Sequence, residues 1–128
     1  MNRKKKVLII EDNIDIQEVY KIYFESAWFE VYSATDWLKW VSDSVEKKPD
    51  VILLDIMMPQ MNGFEVLQTI KEQSSISVPI IVCSNLSQQS DIDKAYKMWA
   101  ELYITKSQYE WEEIVDKVLD LLKTKGLM

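Results

Sequence analysis

The sequence has 128 residues, of which 48% are hydrophobic and 28% charged, a composition typical of one globular domain and too apolar for a disordered chain. It contains no histidine and a single cysteine, Cys83, which excludes a disulfide framework, zinc, haem and iron–sulfur sites and histidine-based catalysis, and favours a cytoplasmic location. The formal net charge of -6 argues against direct nucleic-acid binding, and no apolar run is long enough for membrane insertion.

Five short apolar or β-rich runs recur along the chain, and each predicts a β-strand. The first, Val7 to Ile10, is continuously apolar, as expected for a strand that is buried on both faces of a parallel sheet. The predicted strands cover residues 7–10, 29–33, 51–54, 79–83 and 102–105.

The segments between these runs carry apolar residues at three- and four-residue spacing, which predicts amphipathic helices. Asp12 or Asn13 can cap the first helix, and Asp36 the second. In the second helix we expect three apolar side chains, Leu38, Val41 and Val45, to face inward. The inward residues predicted for the other helices are Ile16, Val19, Tyr20, Tyr23, Phe24 and Ala27; Phe64, Leu67 and Ile70; Ile92 and Ala95; and Trp111, Ile114, Val115, Val118 and Leu122.

Strands and helices therefore alternate five times with short connections. This pattern predicts an α/β fold in which helices cover both faces of a parallel five-stranded sheet, a three-layer α/β/α sandwich. We expect one domain over residues 1–128, with a basic, flexible end at residues 1–5 and no output domain.

Polar residues follow four of the predicted strands, where the functional crevice of an open α/β sheet lies. They are Glu11, Asp12, Asp55, Ser84 and Lys106. Each alone would be an ordinary loop or capping residue, but together they place three carboxylates, a hydroxyl and an ammonium group at one edge. Clustered carboxylates require a compensating cation, and oxygen ligands suit Mg²⁺. Such a site could support phosphoryl transfer to a carboxylate.

The segment Asp55-Ile56-Met57-Met58-Pro59-Gln60-Met61-Asn62-Gly63 resembles the D-x-x-M-P-x-M-x-G motif of CheY-like response-regulator receiver domains. The resemblance extends from about Lys6 to about Lys123. It implies a flavodoxin-like fold with strand order 2-1-3-4-5. It also implies a two-component switch that accepts a phosphoryl group from the phosphohistidine of a sensor histidine kinase or phosphotransfer protein.

The resemblance assigns a role to each residue at the strand ends. Asp55 would be the phospho-acceptor, with Ser84 and Lys106 contacting the phosphoryl group and Tyr103 acting with Ser84 as a conformational switch. The ligands implied for Mg²⁺ are Glu11, Asp12, Asp55 and the backbone carbonyl of Met57. The switched face, around the fourth helix, fifth strand and fifth helix, would signal to an unknown protein target. We expect no enzymatic activity beyond slow self-dephosphorylation, and a monomer or weak dimer.

Three residues near the site depart from the family pattern. Ser107 follows Lys106 where proline is usual, so we expect a trans peptide bond or a shifted loop. Asn85 is bulkier than the usual residue after Ser84 and could restrict the phosphoryl site. Leu86 offers no group to position a hydrolytic water, which indicates slow self-dephosphorylation.

Four tryptophans, Trp28, Trp37, Trp40 and Trp99, fall where receiver domains commonly have glycine, and the chain has only 2 glycines. Trp37 and Trp40 cannot both face inward with Leu38 and Val41, so we expect exposed aromatic surface. Two interpretations stay open. In the first, the tryptophans are packing or partner-binding residues. In the second, these positions are encoded by UGA codons, which the source organism reads as glycine and which have been translated here as tryptophan.

Three other functions compete with the phospho-accepting switch. The first is a receiver-like interaction module that works without phosphorylation. The second is a flavodoxin-like cofactor binder, which the acidic Glu11-Asp12-Asn13 loop disfavours. The third is a metal-dependent phosphatase, which would need an acid where Met57 stands.

Overall fold

The computed structural model of the chain describes residues 3–59, 62–73, 77–86 and 88–127. The strands are β1 (Lys5–Ile10), β2 (Phe29–Ala34), β3 (Val51–Leu54), β4 (Ile80–Ser84) and β5 (Leu102–Thr105). The helices are α1 (Ile14–Ser26), α2 (Trp37–Glu46), α3 (Gly63–Glu72), α4 (Gln89–Lys97) and α5 (Trp111–Thr124), and a short 3-10 helix covers Lys106–Gln108. In the motif, Gln60 and Met61 lie outside the described residues.

The five strands form one parallel sheet in the order β2-β1-β3-β4-β5, which confirms the predicted fold class and strand order. Strand β1 lies between β2 and β3 and pairs with both, so that Ile10 lies opposite Ala34 on one side and Leu54 on the other. The ends of β1, β2 and β3 are therefore level. The residues that follow β1 and β3 emerge at the same edge of the sheet.

Alternate residues of each strand point to two separate cores. Val7 and Ile9 of β1 belong to the core that α1 and α5 cover, whereas Leu8 and Ile10 belong to the core beneath α2, α3 and α4. All four side chains are essentially buried. The continuous apolar run thus has the structural basis expected from the sequence, since both faces of the strand are covered.

Helix α2 presents a different face to the sheet from the predicted one. Leu38 is 80% exposed and Val41 and Val45 are also exposed, so the prediction that they face inward is wrong. Trp40, which is 1% exposed, takes the inward position instead. Asp43 is also buried, and its carboxylate accepts a hydrogen bond from Lys39 Nζ at 2.6 Å.

Side-chain caps fix the start of two helices. The Asn13 side chain accepts a hydrogen bond from the Ile16 N–H at 3.1 Å, so Asn13 rather than Asp12 caps α1. Asp36 caps α2 in the same way through the Lys39 N–H, at 2.8 Å, as predicted. Because Asn13 caps α1, the side chain of Asp12 is not used as a cap and remains available at the carboxyl edge of the sheet.

The tryptophans occupy three kinds of position. Trp28 and Trp99 follow the ends of α1 and α4 with φ of 70° and 73°, and both side chains are largely exposed. Trp37 begins α2, is partly exposed, and packs edge-on against buried Trp40. Exposed aromatic surface is therefore present as expected, but Trp40 contributes none of it.

Candidate functional site

The carboxyl edge of the sheet contains a cleft of about 460 Å³. Backbone hydrogen bonds hold its two central acids in line with the sheet. The Glu11 N–H donates to the Ala34 carbonyl and the Asp55 N–H to the Ile10 carbonyl, both at 3.1 Å. The cleft is lined by Glu11, Asp12, Asn13, Ile16, Asp55, Met57, Pro59, Asn85 and Lys106.

Lys106 joins the two buried acids of the cleft. Its Nζ atom lies 2.8 Å from Glu11 Oε1 and 3.2 Å from Asp55 Oδ2. The side chains of both acids are almost fully buried, and that of Lys106 is 11% exposed. One ammonium group thus bridges two carboxylates that follow different strands, β1 and β3. The sequence predicted that these three residues lie at the same edge of the sheet.

Burial and charge shift the protonation of this group of residues. Burial raises the pKa of Glu11 to about 7, an effect that the hydrogen bond from Lys106 only partly offsets. Burial acts to lower the pKa of Lys106, but the charges of Asp55 and Glu11 outweigh it and raise that pKa. Three carboxylates, those of Glu11, Asp12 and Asp55, line the cleft with the single ammonium group of Lys106.

A close approach of the backbone fixes the loop that carries Asp55. A Cβ atom on Gly63 would lie 2.3 Å from the Ile56 Cα and 2.6 Å from the Asp55 carbonyl oxygen, so this position requires glycine. The Gly63 N–H donates to the Ile56 carbonyl at 3.2 Å. At the same turn, the Met57 N–H donates to Asp55 Oδ1 at 3.0 Å and orients the carboxylate.

Ser84 and Tyr103 are linked through the loop after β4. Ser84 is fully buried, and its hydroxyl oxygen accepts a hydrogen bond from the Leu86 N–H at 3.3 Å. The half-buried Tyr103 donates its hydroxyl to the Leu86 carbonyl at 2.7 Å. Ser84 is not among the described residues that line the cleft, so the structure brings Glu11, Asp12, Asp55, Met57 and Lys106 together there without it.

Two residues of α1 that the sequence argument did not assign to the site support it from below. Gln17 is buried, and its Nε2 atom donates to the Glu11 carbonyl oxygen at 2.6 Å. Tyr20, predicted as a core residue, lies beneath Lys106, whose Nζ atom is 6.0 Å from the ring centroid. The burial of Gln17 is a property of the packed helix, so no local sequence pattern indicated its role.

The residues that depart from the family pattern are compatible with an open cleft. Every peptide bond in the described ranges is trans, including Lys106–Ser107, as expected for a serine at that position. Asn85 is exposed and lines the cleft.

Cys83 is buried behind the site, where burial raises the pKa of its thiol to about 11.

Within the part of the chain that the structure describes, no three histidine, cysteine, aspartate or glutamate side chains are close enough to hold one metal ion. Glu11, Asp12 and Asp55 share the cleft, but their carboxylates do not converge on one point. In the same described ranges, no helix is both long enough and apolar enough to cross a membrane.

Comparisons with known proteins agree with the geometry. Residues 7–119 match the family described as the response regulator receiver domain. The chain is 31% identical over 119 residues to the DNA-binding dual master transcriptional regulator RpaA of Synechocystis, covering 92% of this chain and 49% of that protein. It is 28% identical to the phosphate regulon transcriptional regulatory protein PhoB of Pseudomonas aeruginosa, covering 95% of this chain and 53% of that protein. The chain thus spans about half the length of these curated relatives.

Solved structures share the fold over nearly the whole chain. The receiver domain of the Francisella response regulator 1452 has a TM-score of 0.84 at 27% identity, covering 94% of this chain and 98% of that one. The Vibrio cholerae chemotaxis protein CheY4 also has a TM-score of 0.84, at 24% identity, covering 91% of this chain and 98% of that one.

Proposed function

This chain belongs to the response regulator receiver domain family, and from that membership we propose that it is a phospho-accepting switch of a two-component system. Asp55 accepts the phosphoryl group from a sensor histidine kinase or a phosphotransfer protein. The observation that carries the proposal is the shared ion pair, in which Lys106 contacts both Asp55 and Glu11 at the carboxyl edge of the sheet.

In the proposed reaction, a carboxylate oxygen of Asp55 attacks the phosphorus of phosphohistidine. The P–N bond breaks as the O–P bond forms, and the electron pair of the broken bond returns to the imidazole nitrogen. Lys106, already 3.2 Å from Asp55 Oδ2, stabilises the negative charge of the phosphoryl oxygens. The Met57 N–H keeps Asp55 oriented for the attack.

The donor chemistry of the cleft fits Mg²⁺, because all of its candidate ligands are oxygen atoms and three carboxylates line it with only one ammonium group. Glu11, Asp12, Asp55 and the carbonyl of Met57 would hold the ion once their oxygen atoms move toward one point, since the carboxylates do not converge in this structure. When bound, Mg²⁺ neutralises charge on the carboxylates and on the transferring phosphoryl group. Around it, Gln17 holds the Glu11 backbone in place through its 2.6 Å hydrogen bond.

We infer that the signal leaves through Ser84 and Tyr103. Both side chains form hydrogen bonds with the backbone of Leu86. A movement of Ser84 toward the phosphoryl group therefore shifts the Leu86 carbonyl, which accepts the hydrogen bond of the Tyr103 hydroxyl. Tyr103 lies in β5, between α4 and α5 in the chain. The altered α4–β5–α5 face then binds a downstream protein, and the chain needs no direct contact with nucleic acid or membrane for this role.

The proposed function is tested by the intact mass of the protein after incubation with acetyl phosphate, with and without Mg²⁺. We expect a gain of one phosphoryl group that requires Mg²⁺ and that Asp55→Asn abolishes. Asp50→Asn is the matched control, because Asp50 pairs with Arg3 away from the cleft and its loss leaves the site intact. Undiminished labelling of the Asp55→Asn variant would exclude Asp55 as the acceptor.

No labelling of a folded protein would contradict the phospho-accepting switch altogether. That result favours the receiver-like module that interacts without phosphorylation. Asn85, which lines the cleft, would then be the first residue to replace with alanine.

A further inference from the structure

Tyr20 forms a rigid floor under the cleft. The residue is 2% exposed, and its hydroxyl donates to Cys83 Sγ of β4 at 3.1 Å. Its ring packs edge-on against Trp111 of α5, with 5.0 Å between centroids. Contacts from a strand and from a second helix therefore fix both the position and the tilt of the ring.

The space between this floor and the acids of the site is dry. A narrow void lined by Glu11, Asp55, Tyr20 and Cys83, among others, has no room for a water molecule. Lys106 Nζ lies 6.0 Å from the centroid of the Tyr20 ring, at the outer limit of a cation–π contact. No water therefore separates the ring from the two carboxylates that bind the ammonium group.

An aromatic ring suits this position better than another polar group. Two acceptors, Glu11 and Asp55, already take hydrogen bonds from Lys106. A third acceptor below would draw the ammonium group down and away from Asp55. The face of a ring attracts a cation through its quadrupole but accepts no directional hydrogen bond of comparable strength, so the ammonium group stays level with the carboxylates.

We propose that Tyr20 is a positioning residue for Lys106, whose ring holds the ammonium group against Asp55 during phosphoryl transfer. This proposal rests on the proposed function. The hydroxyl of Tyr20 has the separate role of orienting the ring through Cys83, and the edge contact with Trp111 supports the same orientation.

The first test compares Tyr20→Phe with Tyr20→Leu. Phenylalanine keeps the ring, so we expect labelling by acetyl phosphate and Mg²⁺ within about twofold of the unmodified protein. Leucine keeps an apolar side chain without the quadrupole, so we expect labelling to slow about fivefold. Equal slowing in both variants would overturn the proposal, because it would assign the effect to the hydroxyl. Equal, unslowed labelling of both would overturn it as well.

A double-mutant cycle separates positioning from simple packing. In a Lys106→Met background, Tyr20→Leu and Tyr20→Phe have no ammonium group to position, and we expect them to label at the same slow rate. If leucine still slows labelling about fivefold without Lys106, the residue acts through packing and the proposal is wrong. Urea unfolding verifies that each variant is folded, and Tyr20→Met replaces Tyr20→Leu if the latter is not.

The two proposals fail differently. If the unmodified protein gains no phosphoryl group, the proposed function fails and the role of Tyr20 fails with it. If the unmodified protein is labelled on Asp55 and the rate is the same for all three residues at position 20, the positioning role alone fails.

Discussion

Two tryptophans are held in a backbone conformation that favours glycine. Trp28 and Trp99 have φ of 70° and 73°, in the left-handed region that costs a residue with a Cβ about 1 kcal/mol or more. Both side chains are exposed, so packing offsets little of this cost, although Lys4 Nζ lies 4.6 Å from the Trp28 ring centroid. Lys48 adopts a φ of 50°, so a non-glycine residue is tolerated at a helix end here.

The backbone conformation therefore separates the four tryptophans that stand where receiver domains commonly have glycine into two pairs. At positions 28 and 99 the positive φ supports the interpretation that UGA encodes glycine. Trp37 and Trp40 lie within α2 and have no positive φ, so the backbone gives no reason for glycine at either. UGG codons at 28 and 99 in the coding DNA would exclude that reading.

Replacing either strained tryptophan with glycine is expected to stabilise the protein. Trp28→Gly and Trp99→Gly should each raise the free energy of unfolding by about 1 kcal/mol, because glycine adopts a positive φ without strain. Trp37→Gly is the matched control and should lower it by about 1 kcal/mol, because Trp37 has no positive φ to relieve and its ring packs against Trp40. Urea unfolding at constant pH measures all three.

A loss of stability in Trp28→Gly would contradict this reasoning. It would show that the contact of the indole with Lys4 outweighs the backbone strain. Trp99→Gly has no lysine contact of this kind among the described residues and would then separate the two effects.

Individual residues at the strand ends could be predicted because their positions depend on the sheet alone. Asp55 and Lys106 directly follow parallel strands of one sheet, and the structure places both in the cleft. The contribution of Gln17 could not be predicted, because it depends on the rotation of α1 about its own axis. Its burial and its bond to the Glu11 carbonyl appear only when the helix is packed.

At the scale of a single element, α2 shows where a periodic pattern fails. Leu38, Val41 and Val45 have the spacing of an inward face, yet Trp40 occupies the sheet side of the helix. Its large indole buries more apolar area than any one of the three. The cost is a buried Nε1–H group for which the described residues provide no acceptor. Periodicity counts apolar positions equally and so misses a single dominant side chain.

The exposure of Leu38 predicts a small effect of its removal. Leu38→Ala should change the free energy of unfolding by less than about 0.5 kcal/mol, because the side chain is 80% exposed. Leu67→Ala in α3 is the comparison, since Leu67 is fully buried, and its loss should cost about 2–5 kcal/mol.

Urea unfolding of the two variants checks the orientation of α2. A cost for Leu38→Ala close to that of Leu67→Ala would mean that Leu38 faces the core. The inward face predicted from the spacing would then be correct and the burial of Trp40 wrong.

At the scale of the whole molecule, the fold was predictable because its strands are buried on both sides. Val7 and Ile9 enter one core and Leu8 and Ile10 the other, so an unbroken apolar run required helices on both faces. The alternation of strands and helices then restricted the sheet to parallel pairing, and the motif ending at Gly63 indicated its order. The rotation of each helix against the sheet depends on packing between distant residues, which no local pattern contains.

The charge balance of the cleft has a consequence for the stability of the metal-free protein. Burial raises the pKa of Glu11 from 4.5 to about 7, so between these values the folded protein binds a proton that the unfolded chain releases. The stability from this proton is fully present below pH 4.5 and is lost as the pH rises through about 7. We therefore expect the free energy of unfolding in Mg²⁺-free buffer to fall from about pH 5 to about pH 8.

Urea unfolding across this pH range tests the expectation, with Glu11→Gln as the paired variant. Glutamine does not titrate, so the decline should disappear in that variant. Asp50 does not interfere: burial acts to raise its pKa, but the hydrogen bonds from Arg3 and the Lys6 N–H outweigh burial and lower that pKa, so its contribution is lost only in more acidic solution. A decline of equal size in Glu11→Gln would assign the effect to another group. Stability that rises with pH in the unmodified protein would mean that Lys106 neutralises Glu11 more strongly than burial opposes its charge.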